Sequence, residues 1–128
     1  MKRITVEAQT PLEKHVKAWI NRTAQDYNGS GVRGVIEDLF QGGCQSGMVS
    51  HLIYYHDTLK FYRRYRSYIG DLLSDAIENT GGGPSEVFGE KWDNTDPLAS
   101  ETQNQNLLAW FGFEETARIL ASRAGLEI

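Results

Sequence analysis

Cysteine occurs once in 128 residues, at Cys44, so no internal disulfide can form. A chain of this length buries roughly two-thirds of its unfolded surface in one core and needs no such staple. A lone thiol agrees with a reducing compartment. No stretch approaches the ~20 apolar residues of a membrane span. The N-terminal MKRITVEAQTPLEKHV holds no apolar run of signal-peptide length, so a cytoplasmic location is expected. There is no H-E-x-x-H and no second Cys to make C-x₂-C. The Gly81-Gly82-Gly83-Pro84 run lacks the Lys-Ser/Thr of a phosphate loop and follows a helical pattern instead of a strand. Internal repeats and low-complexity tracts are missing too.

These absences leave little room for catalysis. Cys44, His51, His56 and Asp57 supply metal-binding atoms, but zinc ligands come in close pairs so that one turn presents two donors. His51 and His56 stand five apart, on different faces of a helix. The plainer reading makes His51 a core or surface residue and pairs His56 locally with Asp57. Cys44 follows Gly42-Gly43 and could sit near a helix N-terminus, where a thiolate is stabilised. With His51 or His56 it would form a dyad, whereas a buried structural Cys is the simpler account. Neither a metal nor another cofactor is expected, and an enzyme is the third-ranked reading.

What is present is helical patterning. Residues 3–7, RITVE, alternate polar and apolar, and residues 1–9 suit an extended arm or an edge strand. Thr10-Pro11-Leu12-Glu13 reads as a capping box with Pro in the first helical position. Leu12, Val16, Trp19, Ile20 and Ala24 then mark one face of an amphipathic helix, closed by Asn28–Gly31. Val32, Val35, Ile36, Leu39 and Phe40 mark a second helix, stopped by Gly42-Gly43. Met48–Ile53 suggests a third, and Asp57 or Thr58 could cap a fresh one. Leu59, Tyr62, Tyr65, Ile69, Leu72, Leu73, Ala76 and Ile77 predict one helix of five turns, broken at Thr80–Pro84. Residues 81–101 read as a polar loop region, with a single helical turn over Ser85–Phe88 and one anchor at Trp92. Asp96-Pro97 opens a turn or caps a helix. Thr102–Gln105 reads as a second capping box, opening a last helix apolar nearly all round through Ala124. The expectation is a mainly α, single-domain bundle of about five helices over residues 1–128, with at most a short N-terminal strand.

Charge is the other informative feature. The net charge of −4 is unevenly spread. Lys60, Arg63, Arg64 and Arg66 are four positive charges with no acid among them. They stand among Tyr54, Tyr55, Phe61, Tyr62, Tyr65 and Tyr68, residue types that dominate binding hot spots. From Asp71 to Glu101 there are eight acids against Lys91 alone, a net of −7. Such asymmetry points to a charged partner. Asp75, Glu78, Glu90, Trp92, Asp93 and Asp96 are the candidate partner-binding residues, facing a basic protein surface. The competing account has two solvated helix faces whose fields complement each other within the fold. The runner-up function is nucleic-acid binding, with Lys60, Arg63, Arg64 and Arg66 on phosphates and Tyr62 or Tyr65 stacking on bases. A pI of about 5.3 speaks against it, and so does the place of both tyrosines on the apolar stripe.

The run Gly43-Cys44-Gln45-Ser46-Gly47-Met48-Val49, then Leu52–Thr58, Phe88–Asp93, Asp96–Ala99 and Asn104–Phe111, resembles a family of small uncharacterised proteins carried by phages and bacterial mobile elements. The resemblance covers roughly residues 30–122 and carries no catalytic residues with it. It implies a setting in which small acidic accessory proteins inhibit host defence, as anti-CRISPR and anti-restriction proteins do. The expected function is therefore non-enzymatic binding of a host protein, with a nucleic-acid-processing nuclease complex as the target class. Gln103, Asn104, Gln105 and Asn106 form a run of amides that must be bonded to something, which makes their stretch a further candidate site.

Overall fold

A computed structural model describes residues 3–25, 31–42, 55–94 and 97–126. They form α1 (Pro11–Gln25), α2 (Gly31–Gly42), α3 (Tyr55–Arg64), α4 (Arg66–Thr80), α5 (Pro84–Phe88), a 3-10 turn (Gly89–Lys91) and α6 (Pro97–Arg123). Among the described residues there is no strand, and the fold is a mainly α helical array. Its contacts group into two compact units. The first joins Met1–Leu52 to Phe113–Ile128, and the second is Ile53–Gly112. The expected helix over Met48–Ile53, with Cys44 and His51, lies outside the described residues.

The first unit holds most of the buried core. Thr10 caps α1: its Oγ1 accepts the Glu13 N–H at 3.1 Å. The Glu13 carboxylate reaches back, but to the N–H of Gln9 at 2.9 Å and not to that of Thr10. The box is therefore one residue wider than the sequence pattern implies. Leu12, Val16, Trp19, Ile20 and Ala24 are all buried, as are Val32, Val35, Ile36 and Leu39 of α2, which packs on α1. Each Val, Leu or Ile among them contributes about 1.5–3 kcal/mol relative to exposure. The Phe113 ring meets Trp19 edge-on at 4.8 Å, and the Arg118 guanidinium lies 4.3 Å above the Phe40 ring.

The N-terminal residues form an arm, not an edge strand. Ile4 is buried, and its backbone finds a side chain where a strand would find a ladder. The Ile4 N–H donates to Asn21 Oδ1 at 2.7 Å, and Asn21 Nδ2 donates to the Ile4 carbonyl at 3.0 Å. One carboxamide thus satisfies both backbone groups of a buried residue.

In the second unit the expected long helix is two helices, broken at Tyr65 (φ −114°, ψ 23°). The pattern could not show this. The Tyr65 N–H still reaches the Phe61 carbonyl, and the Ile69 N–H reaches that of Tyr65. The apolar spacing therefore carries straight through the break. Gly81, at φ 78°, closes α4 in the left-handed conformation, with its N–H on the Ile77 carbonyl. The stretch expected as a polar loop is largely helical: α5 and the 3-10 turn fill its first half. The last helix begins at Pro97, where a fixed φ suits the first turn. Thr102–Gln105 consequently lies inside α6 and is no cap. At Gly112, α6 comes so close to α4 that a Cβ would sit 2.6 Å from Ile69 Cγ1.

Candidate interaction surfaces

The amide run has an internal explanation. Asn104 holds the backbone of Asp93 as Asn21 holds Ile4, with the Asp93 N–H donating at 3.1 Å and the Asn104 amide donating to the Asp93 carbonyl at 3.0 Å. Gln103 Nε2 donates to the Lys91 carbonyl, and Thr58 donates to Asn106 Oδ1. Gln103 and Asn104 thus tie Lys91 and Asp93 to α6, and Asn106 ties α3 to it, so three of the four amides are bonded within the fold.

Trp92 follows the 3-10 turn directly. It is half-buried and stacks on Phe88 at 5.3 Å, and Phe88 meets Phe111 edge-on at 5.4 Å. Trp92 therefore plugs the edge of the second unit and leaves part of its ring in solvent.

Of the candidate acids, Asp75 and Glu78 are exposed on α4 and Glu90 is exposed on the 3-10 turn. Asp93 is half-buried, and Asp96 lies outside the described residues. Asp71 joins Asp75 and Glu78 at spacings of four and three, so the three make one charged stripe along α4. Leu72, Leu73, Ala76 and Ile77 on the same helix are only half-buried. Among the described residues, no ion pair is formed by Asp71, Asp75, Glu78, Glu86 or Glu90.

The basic set differs from the acidic one in a physical respect. Lys60, Arg63, Arg64 and Arg66 are all exposed. Arg63 and Arg64 stand in the last turn of α3, where the negative end of the helix dipole favours them. Arg64 lies 5.4 Å from the Tyr65 ring centroid and Arg66 5.7 Å from that of Tyr62. Tyr65 is 4% exposed and cannot stack on a base. The α4 acids stand differently. α4 carries no base in its last turn, and Glu78 sits there, against the dipole.

Two features of the first unit escaped sequence reasoning. One is a clasp between its ends: Arg123 meets both carboxylate oxygens of Glu13, with Nη2 to Oε2 at 3.1 Å, and also donates to Gln9 Oε1 at 2.9 Å. Burial alone would push the Glu13 carboxyl up. The hydrogen bonds from Arg123 and Gln9 and the guanidinium charge outweigh burial and hold it below its ordinary value. The Arg123 guanidinium is correspondingly raised. The other is a groove between the arm and α1, of about 590 Å³.

His56 and Asp57 are on α3. Among the described residues, no three His, Cys, Asp or Glu side chains are placed to share a metal ion. No helix there is long and apolar enough to cross a membrane. No curated protein and no solved structure matches the chain. One family does: residues 10–127 match a domain of unknown function, DUF7222, and the chain belongs to that family.

Proposed function

We propose that this chain is a non-enzymatic binding protein. Its acidic surface on α4 and the 3-10 turn engages a basic surface of another protein. In the setting of phage or mobile-element accessory proteins, the partner is a host nucleic-acid-processing complex in the cytoplasm, and binding inhibits it. One observation carries the reading. The exposed acids Asp71, Asp75 and Glu78 form a stripe beside half-buried apolar side chains, without ion pairs among the described residues and partly against the dipole of their own helix. Charges so placed cost stability and favour association with a cation-rich surface.

The test begins with affinity purification from a host lysate and identification of the partner by mass spectrometry. Asp75→Lys/Glu78→Lys/Glu90→Lys is then compared with Lys60→Glu/Arg63→Glu/Arg64→Glu for binding to that partner. The acidic-set variant should lose binding, and the parent's association rate should fall steeply with added salt. Binding that survives reversal of the acids and vanishes on reversal of the arginines would refute the reading.

A further inference from the structure

The groove between the arm and α1 is lined by Arg3 and Ala8 from the arm and by Lys14, Lys17, Ala18 and Arg22 from α1. The α1 residues fall at spacings of three, four and eight from Lys14, which is one face of a helix. Among the described residues, four cations line this groove and no carboxylate does. Among the described residues, none of the four forms an ion pair. Arg22, in the last turn of α1, has a dipole reason for its charge. Lys14 has the opposite, since it lies next to the first turn, where an anion is favoured. Lys17 is half-buried and lines the groove. Both walls are fixed. The arm is held by the two hydrogen bonds between Ile4 and Asn21, and the start of α1 by the Glu13–Arg123 clasp.

We infer that this groove is a binding site for the phosphodiester backbone of a nucleic acid. The cations are strung out instead of converging: from Lys14 to Arg22 the helix rises about 12 Å. That spacing suits an extended polyanion and spreads too far for one phosphate group. Ala8 and Ala18 leave the floor low, so a chain can lie along it. Among the described residues no aromatic lines the groove, so recognition there rests on phosphate, without sequence preference. The site is separate from Lys60–Arg66 and stands independently of the acidic surface. A nucleic-acid-handling partner would bring such a backbone within reach, but the groove needs no partner to bind one.

The net charge of −4 opposes binding, so affinity is that of non-specific contact, with Kd roughly 10⁻⁴–10⁻⁶ M at physiological salt. The experiment is fluorescence anisotropy with the full chain and labelled oligonucleotides, single- and double-stranded, from about 50 to 200 mM salt. Three or four contacted phosphates give a slope of log K against log salt of about −2 to −4. Lys14→Gln/Lys17→Gln/Arg22→Gln should weaken binding at least about tenfold and flatten the slope by about 2. Arg3→Ala, on the opposite wall, should flatten it by about 1. Lys60→Gln/Arg63→Gln/Arg64→Gln should bind like the parent. Circular dichroism and a thermal melt establish that each variant is folded, and Arg3→Ala, at an exposed arm position, serves if the triple variant is not. Parent-like affinity in Arg3→Ala or in a folded groove triple, or a loss that follows the Lys60 set, would overturn the inference. So would equal binding of polyglutamate or of anionic lipid vesicles, which would make the ligand an acidic protein segment or a membrane surface.

Discussion

Asn21→Leu replaces a buried carboxamide with an apolar side chain of similar size and removes both hydrogen bonds to Ile4. If the arm stayed in place, two buried backbone groups would be left without partners, at about 1–3 kcal/mol each. If it lifted, the burial of Ile4, about 1.5–3 kcal/mol, would be lost, with two hydrogen bonds worth about 0.5–1.5 kcal/mol each. The freed residues would then regain backbone entropy of about 1 kcal/mol apiece. The molecule takes the cheaper path, so we expect a loss of about 2–3 kcal/mol by release of the arm. Urea denaturation gives the stability change, and hydrogen exchange at the Ile4 amide tells the two paths apart. Ile4→Ala acts through the same arm, so the double variant should lose less than the sum of the singles. Asn21→Asp adds a test of sign. Its carboxylate would face the Ile4 carbonyl, which raises its folded pKa. That variant should be least impaired below the ordinary carboxylate range and lose stability as pH rises through the raised value. An Asn21→Leu protein within about 0.5 kcal/mol of the parent, with the Ile4 amide still protected, would refute the argument.

The Glu13–Arg123 clasp predicts a pH dependence of the opposite sign. Because the folded Glu13 carboxyl is held below its ordinary value, its contribution is fully present above the ordinary carboxylate range and is lost as pH falls through the lowered one. The stability gap between the parent and Glu13→Gln should be about 1.5–3 kcal/mol at neutral pH. Urea midpoints should show it shrinking in acid, and a gap that widens there would count against the clasp. Gly112→Ala should destabilise by about 1–2 kcal/mol, since the strain against Ile69 exceeds the gain in helix propensity. In Ile69→Ala the same change should cost little or be favourable; equal penalties in both backgrounds would show that the close approach is not the cause.

The legible parts of the fold were those with a local cause. The stripes Leu12–Ala24 and Val32–Leu39 are the buried faces of α1 and α2 because period alone selects them. Gly81 ends α4 because it accepts a positive φ. The break at Tyr65 was illegible because it turns the backbone without disturbing the spacing. Asp96-Pro97 read as a turn or a helix cap, and the last helix does begin at Pro97; the capping-box pattern at Thr102 competed with it and placed the start five residues late. Asn21 gave no signal, and Glu13 showed only its place in the capping box, because their partners, Ile4 and Arg123, are far away in sequence. The α1 groove went unnoticed for the same reason: Arg3 lies opposite α1 only once Ile4 is held. The acidic candidates were found as a composition bias, but the stripe of Asp71, Asp75 and Glu78 needed the helix to be seen.

The first unit is discontinuous in sequence, and this sets an order of events during synthesis. About sixty residues of the second unit lie between its two parts. At about 5–20 residues per second, the ribosome needs roughly 3–12 s to make them. Through that interval α1 and α2 exist without Phe113, Ala117, Leu120 and Arg123. Trp19 lacks the ring that covers it, and Glu13 lacks its counter-charge. The nascent chain therefore exposes the buried faces of α1 and α2 through that interval. The second unit, whole by Gly112, has every residue it needs to assemble first. The final sixteen residues then close the older half of the molecule.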